Sequence, residues 1–235
     1  MSAFRTHTSH FRISDTNSIN MKSKCKAIIF DLDGTLINSL PYHFIAFKDL
    51  LLEHGIRVDD AHLRRLIGMP TTEILKELKR KYKFKENIQD LREERRYHYF
   101  KFLGNRKIAF PGVRDMLERL RLDYKLAVAT GSSKVIFEHS TDKDFQELFD
   151  VVVTINDVNK GKPHPEQLLL AAHKMHVKPK DCIVVGDSIY DAIAANSAGM
   201  KFIGSATGYT SKQEMMEHGA MDVVKPISKL EKVLK

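Results

Sequence analysis

No tryptophan occurs among the 235 residues, and there are only two cysteines, Cys25 and Cys182. Two cysteines cannot frame a disulfide-stapled scaffold, and a structural zinc site takes about four clustered ligands. Each cysteine sits beside or within an apolar, strand-like run, so both are expected as buried free thiols of a reducing compartment. Glycine and proline number 12 and 7, too few for a fibrous chain. No apolar run approaches the roughly 20 residues that cross a bilayer, which excludes a transmembrane helix. Hydrophobic residues make up 43% and charged residues 29% of the chain, too apolar a balance for disorder over most of its length. The length suits one large domain, or one domain carrying a smaller insert.

Negative charge is the scarcer sign. Lys and Arg total 38 against 30 Asp and Glu, for a formal charge of +8. The window 76–107 alone holds twelve bases and five acids, so the remainder is near neutral. A basic patch of this kind is expected as a solvated helical face, ahead of steering anionic ligands. Neither zinc-finger spacing nor an RNP-like aromatic motif accompanies it, so nucleic acid is not the expected partner.

Residues 1–21 stand apart: Ser-, Thr-, His- and Asn-rich, with Arg5 and Arg12 and the single acid Asp15. They contain no apolar core of a secretory signal, and are expected as a flexible extension, with organelle targeting as the alternative. From there strands and helices alternate. Apolar runs at 26–30, 125–129, 151–154, 182–185, 201–203 and 222–224 read as buried strands. Helical spacing fills 42–54, 61–102 with a turn at 70–72, 113–122, 133–148, 165–176, 189–198 and 211–218. Such alternation predicts an α/β fold, a parallel sheet flanked by helices. More than ninety residues separate the first two strands. One crossover helix cannot fill that interval, so a helical insert at 41–109 is expected within a core made of 22–40 and 110–235.

Four loops near strand ends carry the chemistry, where doubly wound sheets place ligands. Asp31-Leu32-Asp33-Gly34-Thr35 sets two carboxylates two residues apart in a turn, suited to Mg²⁺ or to divided nucleophile and acid–base roles. The closing Glu of a calcium loop is absent. Thr130-Gly131-Ser132-Ser133 offers a hydroxyl and a Gly N–H to a phosphate oxygen, or an ordinary N-cap. Lys162-Pro163-His164-Pro165 holds a lysine in extended backbone next to a helix start; a surface lysine is the plain alternative. Gly186-Asp187-Ser188-Ile189-Tyr190-Asp191 puts two aspartates four apart, on one side of a helix start. Taken together, four aspartates, a hydroxyl and a lysine form one site only if a cation and an anion share it, because carboxylates packed alone would not stay ionised.

This ordered set resembles the haloacid dehalogenase-like (HAD) phosphohydrolases, in particular the subfamily with a small helical cap between the first two motifs. The resemblance spans roughly residues 24–235. It implies a Rossmann-like parallel sheet, Mg²⁺, and phosphoryl transfer through an aspartyl-phosphate. By position it implies Asp31 as nucleophile and Asp33 as the acid and base. Thr130, the Gly131 N–H and Ser132 would bind phosphate, and Lys162 would pair with the phosphate and Asp31. Asp187 would ligate the metal with Asp31 and the Asp33 carbonyl, and Asp191 would ligate or orient it. Dehalogenases lack the second acid, which this chain keeps. Asn38 departs from the Asp found in many relatives, outside the catalytic set.

Asp31 to Phe47, with Tyr42-His43-Phe44, is similar to β-phosphoglucomutases, and His43 is expected to line the leaving-group pocket. The matching cap loop Gly68-Met69-Pro70-Thr71-Thr72 has no arginine, unlike those mutases. The stretch 204–220 and the Thr-Gly-Ser loop look more like phosphoglycolate phosphatases. The resulting expectation is a cytoplasmic phosphatase of a small phosphorylated metabolite, monomer or weak homodimer, with a phosphosugar mutase as the alternative. A nucleic-acid-binding module ranks behind both.

Overall fold

The computed structural model describes residues 25–234, so the expectations for 1–21 fall outside the described residues. Six strands form one all-parallel sheet. They are β1 (Ala27–Phe30), β2 (Lys125–Ala129), β3 (Val151–Val153), β4 (Cys182–Gly186), β5 (Lys201–Ser205) and β6 (Val223–Val224), in the spatial order β3-β2-β1-β4-β5-β6. The expected α/β architecture is therefore present. A parallel strand packed on both faces reads as an unbroken apolar run, and β1 shows why. Ile28 and Phe30 enter one core layer with Leu126, Val128 and Leu117. Ala27 and Ile29 enter the opposite layer with Leu168, Ala195 and Phe202.

Between β1 and β2 lie α1 (Leu40–Glu53), α2 (Asp60–Leu66), α3 (Thr71–Tyr82) and α4 (Ile88–Leu103), which close their own apolar cluster around Phe47, Leu50, Leu75 and Leu78. The remaining helices cover the sheet: α5 (Val113–Leu120), α6 (Lys134–Ser140), α7 (Lys143–Gln146), α8 (Glu166–Lys174), α9 (Ile189–Ser197) and α10 (Lys212–Glu217). The stretch 61–102, read as helical with one turn, breaks twice. Besides Pro70, the chain leaves helix after Tyr82, where Lys83 takes a left-handed φ of 56°. The expected helix 133–148 is two helices: Thr141 is extended, and the Asp142 side chain caps α7 by accepting from the Phe145 N–H. Cys182 is buried as expected, while Cys25 is half-buried; both are free.

The chain runs outward from β1 to β3 on one side and from β4 to β6 on the other. The topological switch thus falls between β1 and β4, and a crevice opens there at the carboxyl ends of the strands.

Candidate active site

Asp31 is the first residue after β1 and Asp187 the first after β4, so the sheet places them side by side. The Asp31 N–H donates to the Val185 carbonyl at 2.8 Å, extending the ladder by one bond and fixing the loop. Gly34 turns that loop with φ 84°, and a Cβ there would lie 2.5 Å from Asp187 Oδ2. Thr35 Oγ1 donates to Asp187 Oδ1 at 2.9 Å, joining the two loops. Asp191 sits in the first turn of α9, where Ser188 and Asp191 cap each other reciprocally. This occupies Asp191 Oδ2 and leaves Oδ1 for another partner.

That partner is Lys162. The plain reading of a surface lysine fails, since Lys162 is 3% exposed. Its Nζ donates to Asp31 Oδ1 at 2.5 Å, Asp191 Oδ1 at 2.6 Å and the Ala129 carbonyl at 3.0 Å. Burial works against the ammonium, but Asp191 and Asp31 outweigh it and hold Lys162 charged, above its ordinary range. Burial raises Asp31 to about 7, with Asp191 and Asp33 adding to the rise against Lys162. Asp187 is pushed up by burial and by the charges of Asp31 and Asp191.

Three buried carboxylates against one ammonium leave negative charge unmatched. Asp31, Asp187 and Asp191 each bring a ligand atom within 4.8 Å of the others'. All three donors are hard oxygens, with no imidazole or thiolate among them, so the set fits Mg²⁺.

Asp33 turns the other way, into a different set of partners. Its Oδ1 accepts from Ser39 Oγ at 2.7 Å and lies 2.8 Å from His43 Nε2. Its Oδ2 accepts from Ser132 Oγ at 2.7 Å and Thr130 Oγ1 at 3.2 Å. Burial opposes the Asp33 charge, yet His43, Ser132 and Ser39 overcome it and hold the carboxyl below its usual range. Thr130, Ser132 and His43 thus meet at Asp33, and Gly131 lines the same pocket.

His43 is not a helix-surface residue but 6% exposed. Its Nδ1 faces the Arg95 guanidinium in a short contact, and its ring stacks on Tyr99 at 4.5 Å. A guanidinium only donates, so Nδ1 accepts and the proton sits on Nε2, which donates to Asp33. Burial and Arg95 both disfavour imidazolium here. Arg95 was counted within the solvated basic face; it is instead 3% exposed, its Cζ 4.9 Å from the Phe47 ring centroid. Burial lowers it to about 10. The α4 spacing holds the signal for it: Leu91, Arg95, His98, Tyr99 and Leu103 are the buried residues of one helical stripe. Two more partners were not singled out from sequence. Ser39 lies in the turn before α1, and Gln167 Nε2 donates to the Thr130 carbonyl at 2.6 Å. His164, read as a spacer, stays at the surface 3.8 Å from Glu166.

These groups line a pocket of about 490 Å³, counting its open mouth, between the helical insert and the sheet. Ile67, Gly68, Met69 and Arg95 close it from the insert side. A cation and a phosphate would resolve the conflict of charges inside, so the site on this α/β fold fits an enzyme of phosphoryl transfer.

Comparison with known proteins agrees. A family model described as haloacid dehalogenase-like hydrolase matches residues 28–205. A phosphorylated carbohydrates phosphatase of Thermotoga maritima is 31% identical over 208 residues, 86% of this chain and 94% of that protein. A solved hydrolase from Pseudomonas syringae superposes with a TM-score of 0.79 at 30% identity, covering 88% of this chain and 97% of that one. A solved structure described as a putative β-phosphoglucomutase from Thermotoga maritima gives 0.68 at 30% identity, over 89% and 100%. The chain belongs to the haloacid dehalogenase-like hydrolase family, and within it is a phosphatase.

Proposed function

We propose that this chain is a Mg²⁺-dependent phosphatase of small phosphorylated carbohydrates that works through an aspartyl-phosphate on Asp31. The observation that carries the reading is the division of labour between two carboxylates two residues apart. Asp31 is held by Lys162 beside the acidic cluster, while Asp33 is held by Ser39, His43, Thr130 and Ser132 on the other side of the pocket.

Asp31, Asp187 and Asp191 would hold Mg²⁺, which supplies positive charge between nucleophile and phosphate. The Asp31 carboxylate attacks phosphorus, and the bond from phosphorus to the leaving oxygen breaks. Asp33, ionised in the free site, takes up a proton from solvent as the phosphate binds and delivers it to that oxygen. A phosphate arriving beside Asp33 raises its affinity for the proton, since like charges disfavour ionisation. In the second half, Asp33 accepts a proton from water as the water oxygen attacks phosphorus. The acyl-phosphate bond breaks, which frees inorganic phosphate and restores Asp31. Lys162 steadies the charge on the transferring group, and the N–H of Gly131, a residue lining the pocket, meets a phosphate oxygen. His43, fixed by Arg95, orients Asp33.

The helices α1–α4 act in this reading as a cap that keeps bulk water from the acyl-phosphate. The two thiols suit a cytoplasmic enzyme, and every residue given a role here lies on one chain, in keeping with a monomer or weak homodimer. The name of the Thermotoga maritima relative at 31% identity supports the carbohydrate class.

The test is phosphate release across hexose phosphates, pentose phosphates, 2-phosphoglycolate, pyrophosphate and nucleoside monophosphates, with Mg²⁺ and with EDTA. Metal-dependent release concentrated on phosphosugars is expected. Release unaffected by EDTA would overturn the metal assignment. Phosphate shuttling between positions of a hexose phosphate without release would replace hydrolysis by a mutase reaction.

A further inference from the structure

The insert meets the core along a second seam that none of the catalytic roles explains. Arg64 on α2 is exposed and, among the described residues, has no carboxylate partner. Its Cζ lies 4.2 Å from the Phe44 ring centroid and 5.0 Å from the Tyr209 ring centroid. Phe44 belongs to the insert, while Tyr209 follows β5 in the core. A cation held over two aromatic faces is attracted by both, more strongly as water is excluded. Next to it, Tyr190 Oη in the first turn of α9 donates to the Arg65 carbonyl at 3.3 Å.

The loop that presents Tyr209 is tied to the reaction centre. Thr207 Oγ1 donates to the Gly34 carbonyl at 2.5 Å, in the loop of Asp31. Gly208 lies against the Asp187 carboxylate with no space for a side chain between them. Residues 207–209 therefore touch, in order, the nucleophile loop, Asp187 and the insert.

We propose that Arg64 and Tyr209 form a latch that couples docking of the insert on the core to the placement of Asp187. Both are positioning residues, as neither touches the reacting atoms. The latch stands on this contact geometry; its coupling to metal rests on the reading of Asp187 as a Mg²⁺ ligand. Coupling between two sites is reciprocal. A closed latch raises affinity for Mg²⁺, and Mg²⁺ held at Asp187 steadies the latch.

The experiment compares wild type, Tyr209→Ala, Tyr209→Phe and Arg64→Ala by hydrogen exchange and by Mg²⁺ titration calorimetry. In metal-free protein, Tyr209→Ala and Arg64→Ala are expected to exchange about threefold to fivefold faster in segments 60–69 and 205–210, and Tyr209→Phe, which keeps the ring and loses only the hydroxyl beside Arg64, by less than Tyr209→Ala. Exchange elsewhere serves as the folding control. Mg²⁺ slows both segments in wild type, and Tyr209→Ala binds Mg²⁺ more weakly by a similar factor. Wild-type exchange in metal-free Tyr209→Ala overturns the latch. Unchanged Mg²⁺ affinity in that variant overturns the coupling. Absence of Mg²⁺ binding in wild type overturns the coupling and the metal assignment together, and faster exchange in Tyr209→Ala then still upholds the latch.

Discussion

Gly208 packs so tightly on Asp187 that a Cβ at that position would lie 1.8 Å from Asp187 Oδ2. No side chain fits without moving the carboxylate or the loop. Gly208→Ala is therefore expected to weaken Mg²⁺ binding by more than about tenfold and to lower turnover with it, since displacing a ligand or its support commonly costs that much. Gly208 is only half-buried in a loop, so the fold should survive. Calorimetric Mg²⁺ titration beside circular dichroism checks both parts.

Arg95 fixes the tautomer of His43, and His43 fixes Asp33. Removing the guanidinium leaves Nδ1 without its buried partner and lifts a charge that disfavours imidazolium, so the ring is no longer held neutral and in place against Asp33. Arg95→Ala should lower kcat by about tenfold to a hundredfold, a part of the roughly 10²–10⁴ that a placed acid–base group contributes. Arg95→Lys keeps a donor and should recover some of the loss. His43→Gln should retain more activity than His43→Ala. Steady-state kinetics on folded variants decides; equal activity of Arg95→Ala and wild type would remove Arg95 from the account.

Much of the core was legible because its signals are local. The run Ala27–Phe30 is apolar throughout because β1 is buried on both faces, and Asp31 and Asp187 announce themselves as acids directly after such runs. The insert was harder to read. Its break after Tyr82 carries no Gly, Asn or Pro: Lys83 itself takes the left-handed turn. The partners of Asp33 were only partly visible: Ser39 is nearby but sits in a turn with no motif to mark it, and Arg95 reaches Asp33 only through His43, from a helix far along the chain. A charged residue on a buried stripe, as Arg95 is on α4, was the available sign. Its position in a run of bases hid it.

Cys182 gives a pH-dependent test away from the catalytic groups. Burial pushes its thiol from 9.0 up to about 12, and burial also raises Cys25. A thiol whose folded value lies above its unfolded value stabilises the fold below about pH 9, and that contribution is lost as pH rises toward 12. Native protein at pH 8 should react slowly with a thiol reagent such as DTNB, and both thiols should react at once in denaturant. Rapid native labelling of Cys182 would contradict the burial.

Tyr99 joins the insert to the sheet domain. Its hydroxyl and Ser140 Oγ share a hydrogen bond of 2.9 Å, and both residues are buried. Tyr99→Phe leaves Ser140 unpaired and should cost about 1 kcal/mol, read by urea denaturation. Stacking on His43 is retained, so kcat should fall far less than in His43→Ala.

The central claim is that phosphate passes through Asp31. Acid quenching during turnover, followed by proteolysis and mass spectrometry, tests it most directly. A phosphoryl group on the peptide carrying Asp31, absent from Asp31→Asn along with all turnover, is the predicted result. Turnover by Asp31→Asn, or quenched enzyme with the phosphoryl group on a different residue, would contradict it.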